Sequence, residues 1–250
     1  FAPGLTGAPE PGQSRAADVS VNKGAWPHST AVLRTAVDTV KDQTYFLYRI
    51  TSEALSKTLF PIGYFEKSKV REMAKERDLF TADKQDSQGI CFVGQVGIRD
   101  FLEQYVETKP GKVINKETGK AIGTHDGAIF YTLGQRHGLD IGGGFPYYIV
   151  GKDIVKNEVY VSTNLSDDSL WRKEFELSDI HWINPTYRLL PTTYQFKIRV
   201  RHRAKLVEAD IEIQKNSATV KLKNPERAVT PGQSVVIYDG DVCLGGGIVI

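Results

Sequence analysis

The order of apolar and polar positions divides the chain into a helical stretch followed by a long β-rich one. After an unpatterned opening, TAVLRTAV reads as a short strand leading into KDQTYFLYRIT at Lys41–Thr51. Thr51 and Ser52 offer N-caps for a short helix over SEALSKTLF, which Pro61 would end by removing a donor and clashing with the preceding turn. In KSKVREMAKERDL, residues Val70, Met73, Ala74 and Arg77 recur at i, i+3, i+4 and i+7. That spacing predicts an amphipathic helix with this stripe inward and Lys69, Arg71, Glu72 and Lys75 outward. IRDFLEQYV, residues 98–106, reads as one further short helix stopped by Lys109–Pro110–Gly111.

Beyond that point the period changes from helical to alternating. GKVINKETGKAIG predicts a hairpin with its turn at Glu117–Gly119. GAIFYTLGQRHGL and PYYIVGKDIVKNEVYVST read as short strands bounded by glycines. From Leu177 onward strand signals follow at regular spacing: DIHWI, YQFKIRVRHRAKL, VEADIEIQ, SATVKLK, QSVVIYDG and DVCLGGGIVI. Short strands with turns between them predict a closed barrel or a sandwich. The helices read as the last ones of an α/β unit, because parallel βα units need several crossovers and this segment supplies one or two. Residues 1–29 lack an apolar period and are rich in Gly, Pro, Ser and Ala, which suits a foreign leader or a natural flexible arm.

Composition narrows the class. The 250 residues are 40% hydrophobic and 25% charged, an ordinary soluble balance. No apolar run approaches the roughly 20 residues of a membrane span, and no signal-peptide pattern opens the chain. Only Cys91 and Cys243 are present, which excludes a disulfide-stapled scaffold and a cysteine zinc site and suggests a reducing, cytoplasmic compartment. Five scattered histidines give no support to a metal site. A formal charge of +2 does not announce a nucleic-acid binder, so any such role depends on how the charges are arranged.

Three stretches could carry chemistry. In KQDSQGICFVG, Cys91 follows a polar, glycine-bearing loop near Lys84, where a thiol could be reachable and deprotonated; a small buried hydrophobe is the other reading. Cys243, beside Leu244 in a strand, reads as packing. In YQFKIRVRHRAKL, alternation places Lys197, Arg199, Arg201, Arg203 and Lys205 on one strand face and Phe196, Ile198, Val200 and Ala204 on the other, with His202 among them. Five like charges repel, and a polyanion such as a phosphate backbone would relieve them; a solvated barrel face is the alternative. TLGQRHGLDIGGGFPYY offers glycines and the donors Gln135, Arg136 and His137, but lacks the Lys-Ser/Thr ending and following helix of a phosphate loop. It reads as a tight turn cluster or an RNA-facing loop. Lys41–Gln43 suits a helix N-terminus, with Asp42 favourable at the dipole, and Thr230–Ser234 suits a turn with Pro231 and Gly232 at its centre.

Taken together, KDQTYFLYRIT, LFPIGYFEKSKVREMA, KQDSQGICFVG, the YTLGQRHGL–GGG–YYIV block and AVTPGQSVVIYDGDVCLGGG resemble the tRNA-specific 2-thiouridylases over about residues 31 to 250. That family thiolates the wobble uridine of tRNAs for Lys, Glu and Gln. The resemblance implies an α+β chain: a helical remnant of an α/β nucleotide-binding (ATP-pyrophosphatase) domain over 30–97, a small β-rich central tRNA-binding domain over 98–165, and a C-terminal antiparallel β-barrel over 166–250. It implies Cys91, in Gly89-Ile90-Cys91-Phe92, as the persulfide-bearing catalytic cysteine. It implies tRNA contacts at Lys41, Asp42, Gln43, Arg201, His202 and Gln233, to which the basic strand adds Arg199 and Arg203. The family's cofactor is ATP with Mg, and its partners are tRNA and a sulfur-relay protein that delivers persulfide sulfur. Its glycine/serine-rich pyrophosphate loop, second catalytic cysteine, catalytic aspartate and A-T-G-H segment find no match in this sequence. The expectation is therefore a chain that alone neither binds ATP productively nor thiolates, with a non-catalytic tRNA-binding module as the alternative reading.

Overall fold

The computed structural model describes residues 17–18, 31–84, 103, 105–106, 108–136, 138–139, 141, 146–164, 170–184 and 192–250. Cys91, His137, Gly142–Gly144 and nearly all of the helix expected over 98–106 lie outside the described residues. In chain order the elements are β1 (Ala17–Asp18), β2 (Val32–Arg34), α1 (Thr44–Leu47), α2 (Ser52–Ser56), α3 (Lys67–Glu76), β3 (Gly111–Asn115), β4 (Ala121–His125), a 3-10 turn (Ala128–Phe130), β5 (Tyr148–Asp153), β6 (Glu158–Ser162), β7 (Trp171–Trp182), β8 (Thr193–Arg199), β9 (Val207–Ile213), β10 (Ala218–Arg227), β11 (Ser234–Asp239) and β12 (Val242–Val249). They fall into two compact units, one of Phe1–Asp83, Lys173–Asn224 and Thr230–Ile250, the other of Lys84–Arg172 and Pro225–Val229.

The first unit is built on a barrel. Its strands run in the order β12-β11-β8-β9-β10-β7, and β7 pairs back to β12 and closes the ring. The pairs β11–β12, β8–β11, β8–β9, β9–β10 and β7–β12 are all antiparallel. Closure removes the free edges that would otherwise recruit another strand. Alternation supplies the interior: Ile198 lies opposite Ile237 and Ile211 opposite Val220, all of them fully buried. The order of helices before barrel is the α+β arrangement the patterning predicts.

The outer face of β11 and β12 is covered too. Val236, Tyr238 and Cys243 form one core cluster with Leu33, Tyr48 and Leu55 from the segment carrying β2, α1 and α2. Burial on both faces explains why SVVIY reads as a continuous apolar run instead of an alternating one. One edge of β12 is shared along its length. Val242 and Cys243 pair with β2, while Gly245 to Val249 pair with β7. β1 pairs antiparallel with β2 at Ala17–Leu33 and Asp18–Val32, so two residues of the unpatterned opening stretch form a strand.

The helices differ in detail from the periodicity. α2 is capped as expected, Thr51 Oγ1 accepting from Ala54 N at 3.2 Å, but it ends at Ser56, before Pro61 is reached. α3 buries no residue completely: Val70, Met73 and Ala74 are half-buried, and Arg77 is the exposed C-cap, donating to the Met73 carbonyl at 3.0 Å. The expected inward stripe is thus a shallow one, and Arg77 caps the helix in place of extending it. Glu66 makes no side-chain cap at the other end. That role falls to Asp38, whose Oδ2 accepts from Lys67 N at 3.0 Å. The bond from the Lys67 amide holds the Asp38 carboxyl below the usual carboxylate range.

The second unit is a four-stranded sheet in the order β4-β3-β6-β5, with β3 and β4 forming the predicted hairpin and β3 parallel to β6. Its core holds Val113, Ile149, Val159 and Val161, joined by Ala128 and Tyr131. Gly134 and Gly138 take φ near +79°, where a Cβ is unfavourable. Gly134 N donates to Ile149 O at 2.7 Å, Ile149 N to Gln135 O at 3.0 Å, and Arg227 Nη2 to Gly134 O at 3.2 Å. The described part of this glycine block forms a tight turn cluster, on which Arg136 is exposed.

Candidate nucleic-acid interface

The residues singled out by resemblance gather around α1, in the first unit. Asp42 precedes the helix and is 2% exposed; Arg199 ends β8 and is 7% exposed; Nη1 and Oδ2 lie 2.8 Å apart. Asp42 Oδ1 also accepts from Thr44 N at 3.2 Å and Ala36 N at 3.3 Å, and Oδ2 from Thr44 Oγ1 at 2.8 Å. With its hydroxyl hydrogen given to Asp42, Thr44 accepts from the Tyr238 hydroxyl at 3.2 Å. The Arg199 guanidinium stands 5.5 Å over the Tyr238 ring. The acceptors of this buried pair are satisfied, whereas Arg199 Nε is buried with no hydrogen-bond partner among the described residues.

This arrangement corrects the five-cation strand face. Alternation does put Arg199 on the same face as Lys197, but that face is covered by Asp42 and Thr44, so Arg199 is neutralised inside the protein. β8 then ends at Arg199, and the chain turns, Ala204 N donating to Arg201 O at 3.1 Å and Arg203 adopting φ 63°. Arg201, Arg203 and Lys205 are exposed on this turn, not on a strand. Lys197 is exposed on the strand itself, paired laterally with Glu208.

Residues 44–48 join the separate segments. Tyr45 Oη donates to the Ser234 carbonyl at 2.9 Å and reaches the Val200 carbonyl at 3.5 Å. Tyr48 Oη lies 3.1 Å from Ser234 Oγ. Burial raises the Tyr45 hydroxyl above its ordinary pKa, so it stays a donor at neutral pH. The Phe46 ring sits 4.6 Å from the His202 ring. Lys41–Gln43, Arg199–Arg203 and Gln233–Ser234 are therefore drawn together around α1. Among these residues Gln43, Arg201 and Arg203 are exposed, and Lys41, His202 and Gln233 half-buried.

Gln233 closes the expected turn: Gln233 N donates to Thr230 O at 3.2 Å, its Oε1 accepts from Thr230 N at 3.1 Å, and Gly232 takes φ 86°. Burial, then the Arg203 and Arg199 charges, push His202 below the usual histidine range, so its ring is neutral at pH 7. The sequence reading missed Thr44, Tyr45, Phe46 and Tyr48, although four aromatic or aliphatic residues in a row beside Lys41–Gln43 were the available signal. Cys91 lies outside the described residues. Cys243 is fully buried in the outer core cluster, and desolvation pushes its thiol far up, as expected of a packing cysteine.

The family's ATP finds no fit among the described residues. A groove of about 400 Å³ near α1 is lined largely by apolar side chains such as Leu47, Leu59, Phe60 and Ile62, with Asp38, Lys41, Gln43 and Lys67 also bordering it. Where α3 opens onto it, the Asp38 carboxylate takes one of the N-terminal amides, that of Lys67, and places a negative charge where a phosphate would sit. Among the described residues no group of three His, Cys, Asp or Glu side chains could hold a metal ion, and no described helix is long and apolar enough to cross a membrane.

Comparison with known proteins places these residues in context. Three family models match in succession: a tRNA methyl transferase HUP domain over residues 18–95, a tRNA methyl transferase PRC-barrel domain over 99–163, and an aminomethyltransferase beta-barrel domain over 172–249. The first begins at residue 18, where β1 lies. The tRNA-specific 2-thiouridylase MnmA of Oceanobacillus iheyensis is 43% identical over 214 residues, covering 85% of this chain and 57% of that protein. The MnmA of Staphylococcus aureus strain bovine RF122 is 44% identical over 215 residues, covering 85% and 58%. The chain thus spans just over half the length of these curated relatives. With all three models matching in order and this identity sustained across them, the chain belongs to the tRNA-specific 2-thiouridylase family.

Proposed function

We propose that this chain is the tRNA-holding part of a sulfurtransferase that converts the wobble uridine of tRNAs for Lys, Glu and Gln to 2-thiouridine. The observation that supports the reading is that the segments carrying Lys41–Gln43, Arg201–Arg203 and Gln233 are drawn together around α1, though they are far apart in sequence. Exposed Arg201 and Arg203 supply charge for phosphates, Gln43 a neutral amide for base or sugar edges, and the buried Asp42–Arg199 pair fixes the two segments against each other. Arg199 and Asp42 act in this reading as positioning residues. Cys91 is the residue assigned to carry the persulfide, supplied by a relay protein, because a thiolate is needed as sulfur carrier. ATP with Mg belongs to the family's whole reaction, and no step of it is assigned to the described residues. The compartment that suits a tRNA modifier with only two cysteines is the cytoplasm.

Binding of cognate tRNA by the 250-residue chain, followed across salt concentrations, tests this. Arg201→Ala with Arg203→Ala should weaken binding and flatten the dependence of log affinity on log salt by about 0.7–0.9 for each phosphate that is no longer neutralised. Unchanged affinity and slope would remove the basis of the proposal.

A further inference from the structure

Phe46 is not part of the core that its neighbours on α1 pack against. It is 59% exposed, although it lies on α1 between Tyr45 and Leu47, which pack against the outer core cluster. Its ring is nevertheless held in place. Tyr45 meets it edge-on, with centroids 5.4 Å apart and planes at 85°, and the His202 ring lies 4.6 Å away at 41°. Both supports are themselves anchored, Tyr45 by its bond to Ser234 O and His202 by the turn that follows β8. An ordered aromatic ring, backed on one side and open on the other, is the shape of a stacking platform.

The surroundings select the occupant. Residues 199–206 contain four Arg or Lys and no acid, and the one carboxylate of Lys41–Gln43 is buried against Arg199. Exposed Arg201 and Arg203 flank His202, and Gln43 is exposed just ahead of α1. A cationic rim around an aromatic face suits a ligand that joins flat rings to phosphates, which is single-stranded nucleic acid. We propose that Phe46, backed by His202, stacks on one unpaired base of the bound RNA while Arg201 and Arg203 take the adjoining phosphates. This deepens the reading above and rests on it, since the RNA is the same tRNA. The neutral state of His202 at pH 7 leaves its ring an uncharged support for the Phe46 ring.

The test measures affinity of the chain for an unmodified cognate tRNA at several salt concentrations, with Phe46→Ala, Phe46→Leu and Phe46→Trp. Exposure of Phe46 means that the variants should fold, which far-UV circular dichroism melts verify. Phe46→Ala and Phe46→Leu should each weaken binding roughly 5- to 100-fold, and Phe46→Trp should bind at least as well as the parent. The salt slope should stay unchanged in all three, because every phosphate keeps its cation, whereas Arg201→Ala should lower it. Parent-like affinity of Phe46→Ala overturns the platform, and parent-like affinity of Phe46→Leu would mean apolar burial without stacking and overturns it as well. Failure of the unaltered chain to bind tRNA would sink the tRNA reading itself, a result distinct from binding that ignores Phe46.

Discussion

Asp42 and Arg199 show how far a single residue's environment can reverse its reading. Each looks like a surface charge in sequence, and each is almost wholly buried against the other. Removing one partner leaves the other charged and desolvated, so Arg199→Ala should cost roughly 3–5 kcal/mol, read from urea unfolding. A loss below about 1 kcal/mol, the range of an exposed pair, would contradict the burial described. His125 makes a second residue-scale case, in the other unit. It is 4% exposed, its Nδ1 accepts from Gly127 N at 3.0 Å, and its buried Nε2 finds no hydrogen-bond partner among the described residues. Burial lowers its pKa in the folded state. The unfolded chain therefore binds the proton more readily, and stability contributed by neutral His125 is fully present above about pH 6.5 and lost as pH falls through the folded value. Hydrogen exchange, corrected for its intrinsic pH dependence, should show β3 and β4 amides opening more easily at pH 5.5 than at 7.5. Equal opening free energies at both pH values would rule this out.

At the scale of elements, β12 depends on having no side chains at its centre. A run of three glycines would ordinarily weaken a strand. Here a Cβ on Gly246 would collide with the Val235 carbonyl oxygen of β11, and one on Gly245 with the His181 carbonyl oxygen of β7, while Gly245 also takes φ 148°. β12 is thus clasped by both neighbours at a distance only glycine allows. Gly246→Ala must push β11 away and should destabilise the barrel by about 1–3 kcal/mol or more, measured as a lower denaturant midpoint. An unchanged midpoint would show that the strands can part at little cost. α1 is the other element whose role exceeds its length. Its four residues and the adjoining Tyr48 carry the contacts to Val200, His202, Ser234 and Tyr238 that draw the candidate interface together.

For the whole molecule, the +2 net charge is consistent with binding that depends on a local cluster and not on a general positive field. The salt slope for tRNA should accordingly reflect only the few phosphates met by residues near Arg201 and Arg203, and the paired variant should remove a large part of it.

What the sequence determined by itself was whatever depends on neighbours along the chain. The change from helical to alternating period marked where the helices end. The Thr51 cap, the turns expected at Glu117–Gly119 and Thr230–Ser234 and the packing role of Cys243 all followed from short-range chemistry. Family resemblance added most of the candidate interface residues, and the alternating basic strand added Arg199 and Arg203. Tertiary structure alone decided what covers each face. Alternation correctly put Arg199 beside Lys197, but only the layer of α1 and α2 over the barrel's outer face made Arg199 a buried partner for Asp42. β8 ends at Arg199, Arg201 and Arg203 are exposed on the turn that follows, and Phe46 of α1 lies against His202. Those outcomes depend on contacts between residues 150 or more positions apart, as with Asp42 and Arg199, separated by 157. A local pattern carries no record of which distant surface will exclude water from a charge, and that exclusion is what separates an internal ion pair from an exposed cation.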